Sequence, residues 1–389
     1  MPVSAPQLVP EKPTTHSRRL VHIRELDGVR GIAALMVFFH HICFASFRPA
    51  GWGAPVRFLS AISTPGNTGV DLFFVLSGFL ITSLLIQARK TSSYYHDFYW
   101  KRVLRILPLY ILCLACILFF IPGSGKYVLL SALFISNFAW LFHISSAGPF
   151  WTLSIEEQFY LIWPTVVRRR SVDQLRRWAI CIGMTAVILR LTSAVFGHYN
   201  YYFTFFHCDG LAFGAFLACW FYQRDPAKTN SVQESRIIYL GILVGAVLIA
   251  MFLLPGTQPR TIAFLAAFYQ TGITLLYGSL IALIIKSSGQ RAFAFLRSPF
   301  LIFFGLISYA MYMIHTYVMT LYDHLRGPMQ PGDNSAYAVR FLVIFVSTIA
   351  LCLLSRYLIE LPAISLRKYV LDTPAPAHPE DPPVPLGNM

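Results

Sequence analysis

The sequence predicts an all-α, polytopic membrane protein with about ten transmembrane helices plus one re-entrant or half-buried segment. Three observations carry this. Of 389 residues, 56 % are apolar and only 12 % are charged, whereas a typical soluble chain is about 25 % charged. The apolar residues cluster in runs of the length that crosses ~30 Å of hydrocarbon as a helix. Between the runs, lysine and arginine gather in alternate loops, as the preference for positive charge on the cytoplasmic side requires. The net charge of +14 therefore reports orientation and an affinity for phosphates. Too little soluble sequence remains for a nucleic-acid-binding module.

Residues 1–25 form a polar, cytoplasmic N-terminal segment carrying Arg18, Arg19 and Arg24. The first apolar run is too long, and ends too polar and bulky, for a cleaved signal peptide, so it stays as an anchor. Candidate helices follow at 29–47, 67–87, 103–121, 127–142, 154–167, 178–196, 208–223, 236–254, 261–285, 299–321 and 340–361. Residues 26–368 thus form one transmembrane domain. The Pro-rich stretch 369–389 is expected to be a disordered cytoplasmic tail.

One set of loops holds Arg89, Lys90, Lys101 and Arg102, then Arg168, Arg169, Arg170, Arg176 and Arg177. The same set continues through Arg224, Lys228, Arg236, Lys286, Arg291, Arg297, Arg367 and Lys368. The opposite loops hold only Arg48, Arg57, Lys126, Arg260 and Arg326. The first set is cytoplasmic. Between helix 103–121 and Arg168 only one net crossing is allowed, yet two apolar segments lie there. Segment 154–167 is expected to be the incomplete one. From Ser154 to Arg168 it rises only ~21 Å as a helix, and Pro164 interrupts it. Ten crossings then place both termini in the cytoplasm.

The seven cysteines fall in or beside apolar runs. An odd, lipid-embedded set is no disulfide framework, and Cys113 with Cys116 lacks a second pair for zinc; no metal is expected.

Ionisable groups inside spanning helices cost roughly 2.5–3.5 kcal/mol each on insertion scales, which marks them as functional suspects. Arg30 and His41 are eleven residues apart, about 1100° of helix, so they share a face some ~16 Å apart along the axis. His40 points about 100° away. The plainer reading is an arginine reaching the cytoplasmic edge and a histidine bonded to a neighbouring helix. Glu156 and Glu157 lie side by side in the segment 151–164. Ser154 and Glu157 fit a helix-start capping box, a structural role that Glu156 lacks. Counted from Arg168, Glu156 lies ~18 Å above the cytoplasmic edge, level with His41. A histidine base with an orienting carboxylate is the resulting expectation.

Lys101, Arg102 and Arg105 stand at the cytoplasmic mouth of the third helix. Arg102 and Arg105 project to one side, either as membrane anchors or as a guanidinium clamp for phosphate. Asp71 either favours a helix N-terminus or serves the site. Ser77-Gly78 reads as a close-packing step. Asp209 follows His207-Cys208 as a first-turn carboxylate. Ser308, Tyr309, Tyr312 and His315 bring polar groups into segment 299–321.

Together these stretches resemble the membrane acyltransferase-3 family of O-antigen, exopolysaccharide, Nod-factor and macrolide O-acyltransferases. The matching stretches are Leu26–His41 (Arg-x10-His), Gly69–Ile81, Lys101–Tyr110 (Arg-x-x-Arg), Trp151–Pro164, Asp209–Ala215 and Ser308–His315. They occur in family order over roughly residues 24–362. The one departure is His207, where an arginine before the aspartate is common.

The resemblance implies transfer of an acyl group, usually acetyl, from cytoplasmic acyl-CoA to a hydroxyl of a carbohydrate or lipid-linked glycan. It implies essential roles for Arg30 and His41, a donor role for Arg102 and Arg105, and a role for one glutamate of the pair. It also implies a cell-envelope enzyme of the cytoplasmic (inner) membrane, working on polysaccharide biosynthesis. Asp71, Ser77, Trp151, Asp209, Tyr309 and His315 become supporting or substrate-contacting candidates. Many relatives carry an additional extracytoplasmic esterase-like domain; without one, a second transfer outside requires a separate transferase. The rival class is a proton-coupled secondary transporter, in which intramembrane Asp, Glu and His relay protons. Transporters typically show internal repeats, and none is visible here.

Overall fold

A computed structural model describes residues 23–45, 52–145, 148–196, 202–225, 231–252, 259–327 and 332–371. Most of the N-terminal segment and of the Pro-rich tail lies outside the described residues. Among the described residues the regular structure is helical and no strand occurs. Nine of these helices are long and apolar enough to cross a membrane.

Helix α1 (Arg24–Phe39) continues into a π-helical turn, His40–Ala45. A short helix α2 (Ala54–Ser63) leads through a 3₁₀ turn into α3 (Gly69–Ala88). Then come α4 (Tyr94–Phe120), α5 (Gly125–Ala132), α6 (Phe150–Arg169), α7 (Val172–Val195) and α8 (Thr204–Gln223). The chain goes on through α9 (Ser231–Phe252), α10 (Pro259–Lys286), α11 (Pro299–Arg326) and α12 (Asn334–Ser355). After a second π turn, short α13 (Leu361–Ser365) and α14 (Arg367–Val370) follow.

Small residues set the helix contacts, because lipid gives no hydrophobic drive for helices to associate and close van der Waals approach must supply it. A Cβ on Gly31 would lie 2.1 Å from the Leu301 carbonyl oxygen, so α1 crosses α11 backbone to backbone. A Cβ on Gly78 would lie 2.0 Å from the Leu211 carbonyl oxygen, seating α3 equally close against α8. Helix α3 is consequently the buried centre of the bundle. Helices α9 and α12 keep long apolar faces exposed, such as Leu240 and Leu342, suited to lipid.

The incomplete segment is not the one expected. Helix α6 begins at Phe150, four residues before Ser154, and runs 20 residues straight through Pro164, ~30 Å at helical rise. Ser154 is therefore no cap. Its hydroxyl donates back to the Phe150 carbonyl (3.0 Å) and pairs with Ser136 Oγ (2.9 Å). Pro164 cannot bond the Tyr160 carbonyl, and α4 supplies donors to this stretch: Tyr94 Oη donates to the Pro164 carbonyl (2.9 Å) and Tyr99 Oη to that of Leu161 (3.0 Å). The stretch 127–142 is the broken one. Helix α5 has eight residues, Phe134 takes a left-handed conformation (φ 55°), and a 3₁₀ turn Ser136–Phe142 follows. Its backbone is satisfied by protein: Gln158 Nε2 donates to the Phe134 carbonyl (2.8 Å) and to Asn137 Oδ1 (3.0 Å). With α6 counted for its length beside the nine apolar spans, ten long helices are present among the described residues, matching the number the charge pattern required.

Candidate active site

Helices α1, α3, α4, α6 and α11 enclose a cavity of about 800 Å³. Along α3 its lining extends from Val70 to Ala88, ~27 Å of helix. It reaches outward to Thr91, Asp97, Lys101 and Arg367, and inward to Thr152, Ser308 and Tyr312.

The sequence pattern explains which side chains face it. Arg102 and Arg105 are three apart on α4 and meet on one face; both line the cavity, as does Arg30 from α1. The Arg102 guanidinium lies 3.6 Å from the Tyr160 ring centre and 5.0 Å from that of Phe98. Stacking holds the plane by cation–π attraction and leaves the in-plane donors available. Arg102 Nε is buried and has no hydrogen-bond partner. Glu156 accepts a 2.6 Å hydrogen bond from Ser77 Oγ and feels the charges of Arg30 and Arg102. Asp27 lines the cavity beside Arg30 as well, so the three guanidinium groups face two nearby acids and the excess is positive.

His41 sits just past this chamber in the π turn. Its Nδ1 is 2.8 Å from the Val37 carbonyl, and His315 Nδ1 is 2.8 Å from the Met311 carbonyl. Carbonyls only accept, so each neutral ring carries its proton on Nδ1. His315 Nε2 then accepts from His41 Nδ1 at 3.3 Å. The lone pair of His41 is left on Nε2, the atom a general base would use. The Tyr312 ring centre lies 6.2 Å from that of His315, and Tyr312 Oη is 2.7 Å from Thr152 Oγ1. This hydroxyl pair closes the inner end of the cavity next to the histidines.

The π turn is held from outside α1. Arg340 on α12, 1 % exposed, donates to the Ile42 carbonyl at 3.2 Å. It also forms a two-pronged pair with Asp323 of α11 at 2.7 Å on each arm.

Several sequence expectations are redistributed. Glu156 is level with the site but takes Ser77 and the arginines, and the partner of His41 is His315. The reason is the π turn at His40, which ends the regular helical count on which the matched-face argument relied. Ser77 lines the cavity and donates to Glu156, while the close approach to α8 falls at Gly78. Glu157 does not line the cavity, and its Oε1 is buried with no hydrogen-bond partner. Tyr309 lines the wall and donates to the Ile106 carbonyl at 2.8 Å.

Asp71 and Asp209 are buried elsewhere. Asp71 Oδ1 accepts from Gln270 Nε2 (2.5 Å) and lies 3.4 Å from His207 Nδ1. Asp209 pairs with Arg190 at 2.7 Å and accepts from Thr274 at 3.0 Å. The arginine absent at 207 is thus supplied by α7, and His207 serves Asp71. Trp151 packs edge-on against Tyr202 (5.2 Å) and His207 (5.7 Å). Arg190, Gln270 and Arg340 were not singled out in the sequence. The two arginines were findable: each is a charge inside an apolar run, the same signal that flagged Arg30.

A bundle of long apolar helices around an arginine-walled chamber, with a histidine pair beside its inner end, defines a polytopic membrane protein. The sequence profile of the acyltransferase domain family matches residues 23–357. The chain belongs to that family, as its motifs suggested.

Relatives include O-acetyltransferase OatA of Staphylococcus aureus (strain NCTC 8325 / PS 47), 30 % identical over 326 residues, covering 75 % of this chain and 49 % of OatA. Another is YrhL of Bacillus subtilis (strain 168), provisionally named a peptidoglycan O-acetyltransferase. It is 32 % identical over 171 residues, 39 % of this chain and 24 % of YrhL. A provisionally named O-acetyltransferase of S. aureus (strain COL), SACOL0978, is 27 % identical over 342 residues, 79 % of this chain and 52 % of that protein. The chain spans about half the length of the curated relatives it matches in full. No solved structure matches it.

Proposed function

We propose that the chain transfers an acyl group, acetyl first among candidates, from cytoplasmic acyl-CoA to a hydroxyl of a glycan of the cell envelope. The observation that carries this reading is the cavity itself. Its walls hold Arg30, Arg102 and Arg105, more positive charge than the nearby Asp27 and Glu156 balance, and its inner end stops at the hydroxyls beside a neutral histidine pair. Phosphate oxygens match guanidinium forks. A thioester arm running inward from them ends near His41. Family membership favours acyl transfer over proton-coupled transport, and the names of OatA and YrhL support O-acetylation and a peptidoglycan-like acceptor.

In this reading the acceptor hydroxyl attacks the thioester carbonyl as its proton passes to His41 Nε2. The tetrahedral adduct collapses, the C–S bond breaks, and the protonated histidine returns the proton to the departing thiolate. The alternative order, with an acyl group first carried on His41, uses the same atoms. His315 and Val37 hold the ring's tautomer in either case. Arg30, Arg102 and Arg105 hold the donor's phosphates, and Glu156, fixed by Ser77, sets the position of Arg30 and Arg102. The positive-rich loops support a mouth and both termini on the cytoplasmic side. A further transfer to an acceptor beyond the membrane would use a separate extracytoplasmic transferase.

Titrating acetyl-CoA into detergent-purified protein by isothermal calorimetry tests this. Saturable binding is expected for the wild type, with large losses in Arg102→Ala and Arg105→Ala. A wild-type protein that binds no acetyl-CoA removes the reading.

A further inference from the structure

The mouth of the cavity holds a second group of cations apart from the inner three. Lys101 and Arg367 both line it. Arg367 opens α14, after the last spanning helix, and this short helix lies against α4, where Arg367 NH2 is 3.4 Å from the Lys101 carbonyl. The contact returns the end of the domain to the cavity's rim. Arg367 Nε is buried and lacks a hydrogen-bond partner, as is Arg102 Nε deeper in. A buried, unsatisfied guanidinium N–H is costly unless an acceptor arrives.

Protein carboxylates do not fill that role among the described residues. Asp97 accepts from Ser93 Oγ at 2.8 Å and lies 3.5 Å from His96 Nδ1, and Asp27, in the first turn of α1, acts on the inner Arg30. None of the ion pairs among the described residues involves Lys101, Arg102, Arg105 or Arg367. The charges of Arg30, Arg102 and Arg367 all act on Arg105, and the five cations that line the cavity outnumber its three acids, Asp27, Asp97 and Glu156. Within this positive excess are two orphan donors, the Nε atoms of Arg102 and Arg367. Along α4 the cationic side chains run from Lys101, beside Arg367, to Arg105, ~6 Å of rise. Two anionic groups on one ligand, at unequal depth, would satisfy both.

We propose that Arg367, with Lys101, is a dedicated site for the ribose 3′-phosphate of the donor, outside the arginines that take its pyrophosphate. It rests on the acyl-CoA reading and deepens it. The consequence is selection of the donor class. Free CoA thioesters carry a 3′-phosphate; the phosphopantetheine thioesters of acyl carrier proteins do not. The last segment of the domain, although remote in sequence from the Arg-x-x-Arg stretch, therefore decides which acyl donors the membrane enzyme accepts.

The experiment compares acetyl-CoA with acetyl-3′-dephospho-CoA by calorimetry on the full-length purified protein. For the wild type, acetyl-CoA is expected to bind at least ~10-fold more tightly, equivalent to about 1.4 kcal/mol. Arg367→Gln should lower acetyl-CoA affinity to that of the dephospho analogue and leave the analogue's affinity unchanged. Arg367→Lys should retain part of the preference, because the charge stays while the fork is lost. Arg102→Ala should weaken both ligands alike. Thermal unfolding of Arg367→Gln should match the wild type.

Equal binding of both ligands to the wild type overturns the proposal. So does an Arg367→Gln protein that loses both ligands in equal measure. If Arg367 instead holds an anionic lipid headgroup, the preference for acetyl-CoA is absent, and adding phosphatidylglycerol raises the melting temperature of the wild type but not of Arg367→Gln. A wild type that binds neither CoA ester refutes the donor reading itself, an outcome distinct from the others.

Discussion

His315 separates two accounts of the histidine pair, and its replacement gives a graded result. If His41 is the base, His41→Ala removes general-base assistance, typically worth roughly 10²–10⁴-fold in turnover. His315 touches only Nδ1 of His41, at 3.3 Å, while the Val37 carbonyl holds the same atom at 2.8 Å. Removing His315 therefore leaves the shorter of two bonds in place. A neutral hydrogen bond contributes about 0.5–1.5 kcal/mol, which is a factor of roughly 2–12, and the surviving Val37 bond puts His315→Ala toward the low end.

His315→Gln, which offers an acceptor near the position of Nε2, should recover part of that loss. Because His315 is 2 % exposed, His315→Ala also leaves a cavity, so thermal unfolding must accompany the kinetics. The assay is transfer from radiolabelled acetyl-CoA into membrane glycan, with kcat and donor KM measured separately. His40→Ala serves as the control. His40 Nδ1 meets the Ser63 and Thr64 carbonyls (3.3 and 3.1 Å) and anchors the turn before α3, so its loss should be mild. A His315→Ala turnover as low as that of His41→Ala, in a protein that still folds, would refute the positioning role and make His315 a reacting group.

Three more outcomes follow from the same geometry. Arg102→Ala and Arg105→Ala should raise the donor KM more than the acceptor KM, and Arg→Lys should rescue only partly because lysine lacks the fork; unchanged donor KM in both alanine variants contradicts the clamp. Arg340→Met should lower the melting temperature and turnover together, since it frees Asp323 and the Ile42 carbonyl behind His41. Asp323 is 44 % exposed, so the cost should be about 1–3 kcal/mol and not the 3–5 of a fully buried pair; chemical denaturation measures it. A cysteine at Ser145, on a cysteine-depleted background, should react with an impermeant thiol reagent from outside intact cells, and one at Asp173 should not; no reaction at either site would mean that α6 does not cross, and reaction at Asp173 would overturn the orientation.

The number of crossings was legible because hydropathy and loop charge report the bilayer directly. Which of two adjacent segments failed to cross was not. Ser154-x-x-Glu157 looks like a helix start only when Phe150–Leu153 are assumed to be outside the helix, and what buries Ser154 is Ser136 from the broken segment. No local rule contains that contact.

The site was legible as a set of costly residues and illegible as a set of pairs. Depth arithmetic brought Glu156 level with His41, but a π turn and the neighbouring α11 decided the partner. The structure then sorts the costly residues by whether the fold neutralises them. Asp209 has Arg190, Asp323 has Arg340, and Asp71 has His207 and Gln270. These are pairs across packed helices, and they hold the bundle together. Arg102, Arg105 and Arg367 have no such carboxylate, although Arg102 and Arg367 each bury an unsatisfied N–H. In a medium where an uncompensated charge is expensive, a cluster that two helical elements, α4 and α14, leave without a carboxylate pair points to a ligand more than to the fold. That distinction supports the proposed reading of the Arg-x-x-Arg face of α4 as a donor-binding surface over the membrane anchor its sequence also allowed.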